Sequence, residues 1–176
     1  MPLFLLPVVL LGCDRATGGT GSGEIDVRWT GSERGRLSGP ASAEWCAPLR
    51  LLEIRGISGD TGIALAIYPK DSVTPGKYRL IDPARAESLP PAAALALRWA
   101  AKTAVKGFRG ESGSVSVERS GSGALSGRVA AAARSVTDTQ SLAIEGSFSG
   151  LVIRSQPGKC VERDEESDED AGSGDT

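Results

Sequence analysis

The chain contains no histidine. That removes serine–histidine and cysteine–histidine catalysis, imidazole base chemistry and histidine-ligated metals together. The only other soft ligands are three cysteines, Cys13, Cys46 and Cys160, too few for a zinc site built on thiolates alone. No metal and no cofactor is therefore expected. The glycine cluster Gly18–Gly23 lacks the Lys-Ser/Thr ending of a phosphate loop, and no nucleophile elbow or dinucleotide fingerprint occurs elsewhere. Glu44, Glu53, Glu111, Glu118 and Glu145 fall in strand-like segments. Two carboxylates converging in one cleft would make a glycosidase-like pair, whereas scattered ones are solvated strand faces. Arg28, Arg36, Arg55, Arg79, Arg98, Arg128 and Arg134 fall largely on outward strand positions, where a cluster would form a basic patch for anionic lipid or polysaccharide. Trp29, Trp45 and Trp99 lie in strand-like segments and read as core rather than as a sugar-stacking platform.

Asp60-Thr61-Gly62 resembles the catalytic loop of aspartic proteases, a resemblance that implies two carboxylates sharing a proton. The triplet occurs once and follows Ser58-Gly59 rather than an apolar strand, so a hairpin turn is the expectation. A second resemblance is stronger. Met1 to Gly12, MPLFLLPVVLLG, is an uncharged apolar run of signal-peptide length, too short to span a bilayer as a mature helix. It ends in Leu10-Leu11-Gly12-Cys13, which resembles the lipobox of bacterial lipoproteins. The resemblance implies cleavage before Cys13, a diacylglyceryl group on its thiol and a further acyl chain, such as palmitate, on its amine. At about 0.8 kcal/mol per buried methylene, two or three such chains hold a protein on a membrane durably. It also implies a cell-envelope location, on the outer or the cytoplasmic membrane with the domain outside the cytoplasm. Any partner is then an envelope protein, polysaccharide or lipid and not nucleic acid.

With residues 1–12 as the signal and Cys13 lipidated, residues 13–23 form a glycine-rich flexible tether. Export permits disulfides, and Cys46 and Cys160 are then the only thiols left to pair. At the other end, residues 162–176 carry eight acidic residues and one basic, with almost nothing apolar. Such a tail is expected to be disordered and solubilising, or to cover a basic face of the oppositely charged body.

The elements that must position these residues lie in 24–161, long enough for one domain. Glu24 to Thr30 alternates strictly, with Ile25, Val27 and Trp29 on one face. Similar short runs follow at Ala41–Ala47, Leu49–Ile57, Gly62–Tyr68, Lys77–Ile81, Ser114–Glu118, Ala124–Ala133 and Ser141–Ile153, separated by Gly, Ser, Pro and Asp clusters. The last three read as a meander. The pattern predicts an all-β fold, an antiparallel β-sandwich or small barrel, with the sandwich as the first reading. Residues 91–105, PAAALALRWAAKTAV, have the propensity for a single helix, yet Leu95, Leu97, Trp99 and Ala101 alternate, which favours a strand. The expected role is a non-enzymatic, membrane-tethered binding or structural domain. The alternatives are a lipocalin-like barrel with an apolar cavity of at least about 300 Å³ and a carboxylate-based hydrolase.

Overall fold

The computed structural model describes residues 23–155. The apolar leader, Cys13, the glycine tether, Cys160 and the acidic tail lie outside the described residues. In chain order the elements are β1 (Gly23–Gly31), β2 (Gly35–Cys46), β3 (Leu51–Ser58), β4 (Thr61–Tyr68), β5 (Gly76–Ile81), α1 (Pro83–Ala86), β6 (Ala92–Ala100), β7 (Val105–Arg119), β8 (Leu125–Ser135), β9 (Ser141–Leu151) and β10 (Ile153–Ser155).

The strands form a closed nine-strand barrel, so of the two predicted architectures the barrel is correct and the sandwich is not. Period-two alternation is common to both; what separates them is long-range pairing at the edges. Here β1 pairs antiparallel with β2 on one side and with β9 on the other, through Glu24↔Ser149 to Gly31↔Leu142. No edge is left at that seam. The remaining wall is a meander, β2–β3–β4–β6–β7–β8–β9, each strand antiparallel to the next. At the start of β1, where Gly23 faces Ala41, the short β10 takes over the same side of β2, with Ile153 facing Ala43 in parallel register.

Strand β5 is a wedge. β7 pairs with β6 over 105–109 and with β5 over 112–117, and its register against β8 slips between Gly110 and Ser112. One extra residue, Glu111, bends β7 there, as a bulge does, and the opened gap admits β5. Gly110 sits at the apex: a Cβ on it would lie 2.5 Å from Leu80 Cδ2 and 3.1 Å from Leu95 Cβ. Leu80 of β5 and Leu95 of β6 thus close over a position where no side chain fits.

The helical alternative for 91–105 is corrected: residues 92–100 are β6, fully paired with β4 from Thr61↔Trp99 to Tyr68↔Ala92. The stretch looked helical because its outward positions are alanine. Those alanines are small because α1 lies on them: Ala86, Ala92 and Ala94 form a second small cluster with Ala66, Tyr68 and Ile81 around it. The helical turn itself is nucleated by Pro83 at its first position and by Asp82, whose carboxylate accepts from the Ala84 N–H at 2.9 Å. Tertiary pairing over eight residues outweighs the helix propensity of a few alanines.

Inward positions fill the barrel with Ile25, Val27, Leu52, Ile54, Leu65, Ile67, Leu95, Val115, Ile144 and Phe148, all buried. Burying each such side chain contributes about 1.5–3 kcal/mol. One end is closed by aromatic rings: Trp29 stacks on Trp99 with centroids 5.4 Å apart, and Trp99 stacks on Phe108 at 5.1 Å. Trp29 is therefore core, as the sequence indicated, and Trp45 and Trp99 pack partly buried against it. Beside the stack Lys106, in register opposite Trp99, forms an ion pair with Glu33 of the β1–β2 turn. Among the described residues the buried Trp29 indole N–H has no hydrogen-bond partner, a cost of about 1–3 kcal/mol that the packing of this end offsets. If β5 and β6 converge on Gly110 as described, Gly110→Val lowers the unfolding free energy by about 1–3 kcal/mol. Gly121→Ala, at a turn with nothing within 4 Å, changes it by less than about 0.5 kcal/mol. Urea melts of the two variants should separate them, and equal midpoints would contradict this packing.

Candidate functional site

Four adjacent strands, β8, β9, β1 and β2, place two cross-strand rows on the outer wall. One row is Ala130–Glu145–Arg28–Arg36 and the next is Arg128–Ser147–Asp26–Ser38. Inward partners on the same strands, Val129, Ile144, Val27 and Leu37, are buried, so the alternation that builds the core also fixes which side chains face out. Short residues, Ala130 and Ser147 beside Gly146, make a floor, and the long arms of Arg28, Arg36, Arg128 and Glu145 stand around it. The result is an open depression of about 670 Å³. A second, of about 240 Å³, adjoins it along β1 and is lined by Glu24, Asp26, Ser38, Ser147 and Ser149.

Arg36 donates from Nε to Asp26 Oδ1 at 3.0 Å and from Nη2 to Oδ2, a two-pronged contact that suits a planar guanidinium. Arg28 donates from Nη2 to Glu145 Oε2 at 3.3 Å. Arg128 has no acidic partner among the described residues. Hydrogen bonding from Arg36 outweighs the opposing desolvation and, with smaller help from the charges of Arg36 and Arg28, holds the Asp26 carboxyl below its ordinary 3.8. The same contact makes Arg36 bind its proton more firmly. Asp26 is thus ionised throughout the neutral range and cannot serve as a proton-donating general acid there. Guanidinium groups, hydroxyls and ionised carboxylates around a small-residue floor suit binding of an anionic, hydroxyl-rich ligand.

Of the seven arginines singled out in the sequence, the register gathers three. Arg55 is tied to Glu53 at 2.6 Å, and its proton is held more firmly by that hydrogen bond. Arg134 pairs with Glu111 at 2.7 Å, and Arg79 and Arg98 lie on β5 and β6. Among the carboxylates, Glu44 and Glu53 face each other across β2 and β3, on the outer wall with Arg55 beside them; Glu118 is exposed near the end of β7. Asp60 is an exposed turn residue after Gly59, whose φ is +56°, so the Asp60-Thr61-Gly62 triplet is a hairpin turn entering β4. Among the described residues no cluster of His, Cys, Asp and Glu could hold a metal. Cys46 ends β2 with 5 % exposure and is not a free thiol; Cys13 and Cys160 lie outside the described residues. Sequence reading missed Asp26, Ser38 and Ser147 as parts of the site. The available signal was the charge alternation Glu24, Asp26, Arg28 along the outward face of β1.

A depressed folded pKa stabilises above the unfolded carboxylate value, and that contribution is lost as pH falls through the folded value. Carbon-13 NMR should find the Asp26 carboxyl titrating below 3.8, and Arg36→Gln should move the midpoint back up. A parent midpoint at or above the ordinary value would contradict the contact.

No protein-family model, no curated protein and no solved structure matches this chain.

Proposed function

We propose that the chain is a lipid-anchored lipoprotein of the bacterial cell envelope whose barrel is a non-enzymatic binding module for an anionic polysaccharide. The observation that carries the binding is the convergence of Arg28, Arg36 and Arg128 around the small-residue floor of Ala130 and Ser147. Guanidinium forks match carboxylate, sulfate or phosphate substituents. Ser38, Ser147 and Ser149, with Glu24 and Asp26 in the adjoining depression, offer partners for sugar hydroxyls. The anchor rests on the Leu10-Leu11-Gly12-Cys13 sequence. β1 starts ten residues after Cys13, a distance that spans at most about 35 Å of extended chain, so the barrel would stay near the surface that holds it.

A Cys46–Cys160 disulfide belongs to the same reading. Its support is that Cys46 is buried and not free, and that β10 runs beside β2 toward Cys46, with Ser155 facing Trp45 five residues before Cys160. Such a bridge would tie the end of the barrel chain to its early strands. The apolar-ligand alternative has less support: the depressions described above open on the outer wall, while the inward positions are occupied by large side chains.

Mass spectrometry of membrane-extracted protein should find an acylated N-terminal Cys13, and an unmodified cysteine with a different mature N-terminus would end the lipoprotein reading. For binding, Arg28→Gln/Arg36→Gln/Arg128→Gln should weaken affinity for a uronic-acid polysaccharide by at least about tenfold at low salt, since a hydrogen bond to a charged group contributes about 1.5–3 kcal/mol. Arg98→Gln, on the opposite wall, should not. Parent protein that fails to bind any anionic polysaccharide tested would overturn the proposal.

A further inference from the structure

The two outward rows of the candidate site do not stop at β8. Ala130 faces Ser114 of β7, which faces Arg79 of β5, and Arg128 faces Ser116, which faces Lys77. The residues between them on these strands, Val129, Val115 and Tyr78, are buried. The alternation that turns Arg28 and Arg128 outward therefore turns Lys77 and Arg79 outward as well. Both are exposed, and neither forms an ion pair among the described residues. The floor stays low here too, because Ser114 and Ser116 are short and half-buried. Lys77 stands two strand spacings from Arg128, about 10 Å, a gap that two long side chains close from its two sides.

The charge on this stretch is less committed than in the depression itself. Asp26 and Glu145 already engage Arg36 and Arg28. On β8, β7 and β5 the rows hold Arg128, Lys77 and Arg79 and no acid; Glu118, the next outward residue after Ser116, flanks them without an ion pair to any. Beyond β5 the cations continue. Lys77 lines a depression of about 280 Å³ with Lys70, Ser72 and Thr74, and Arg79 lines one of about 260 Å³ with Arg85. Asp71 is the one acidic residue lining either.

Both rows cross the strands, so they run around the ring. A compact ligand touches one part of such a path, whereas a flexible linear chain follows the curve. Each exposed charge contact is weak, but once one anionic group of a chain is held, the next meets its cation at a high effective concentration. We propose that Arg128, Lys77 and Arg79 form a second anion subsite continuous with the Arg28–Arg36 depression, and that the two together select a linear polyanion by its length. The inference rests on the function proposed above and names the form of its ligand.

The test measures binding of a uronic-acid disaccharide and of a long chain of the same sugar, at low salt, to the parent protein and to Lys77→Gln/Arg79→Gln. The parent is expected to bind the long chain more tightly per chain than the disaccharide. The double variant should lose at least about fivefold in affinity for the long chain, as expected of two exposed charge contacts, and keep its affinity for the disaccharide, which also reports an intact first depression. Arg55→Gln/Arg98→Gln, which removes the same charge from β3 and β6, should weaken neither. The loss should fade as added salt screens the exposed wall. If the parent binds the long chain and the double variant binds it equally well, the second subsite is overturned and the proposed function stands. Equal loss in the Arg55→Gln/Arg98→Gln control, or loss of disaccharide binding in the double variant, overturns the subsite as well. A parent that binds neither sugar overturns the proposed function and this inference with it.

Discussion

Closure through β1 is the constraint on which the rest of this molecule depends. β2 reaches β1 by a local hairpin, but β9 reaches it from more than a hundred residues later in the chain. Pairing of that separation must offset loop-closure entropy before it contributes anything. Once made, it puts Ile25, Val27 and Trp29 into the core and turns Asp26 and Arg28 outward. One strand thus carries both the seam of the barrel and the middle of the candidate site. A register slip of a single residue would exchange the two faces and abolish both.

The way in which small residues are used follows from the same geometry. Where the wall is covered from outside, as under α1, the outward positions of β6 are alanine. Where a wedge must enter, at Gly110, there is no side chain at all. On the open wall, Ala130 and Ser147 leave a floor that longer neighbours surround. The charged contacts above that floor are exposed and individually weak, so they position guanidinium groups rather than hold the fold together. The fold is held by the buried aliphatic interior and the ring stack of Trp29, Trp99 and Phe108.

Much of this was legible in the sequence, for a physical reason. A strand with one buried face writes its alternation locally, and Glu24–Thr30, Lys77–Ile81 and the meander from Ser114 onward occupy strands where that alternation placed them. Residues 91–105 were ambiguous because a strand covered on both faces loses the polar half of its alternation. Barrel and sandwich differ only in which distant strands meet, and no local pattern records that. The candidate site was legible only as a set of seven outward arginines. Which three converge depends on the registers of β1, β2, β8 and β9, and those are set by the whole ring. The single turn α1 and the short β10 fall below the length at which periodicity says anything.

Successive β1 amides point alternately to β2 and to β9, so hydrogen exchange along this strand tests the closed ring directly. If the barrel is closed, every amide from Ile25 to Trp29 exchanges slowly, at rates set by opening of the whole domain. Slow exchange at alternate residues only, with the others as fast as an edge strand in water, would show β1 paired on one side and would contradict the account.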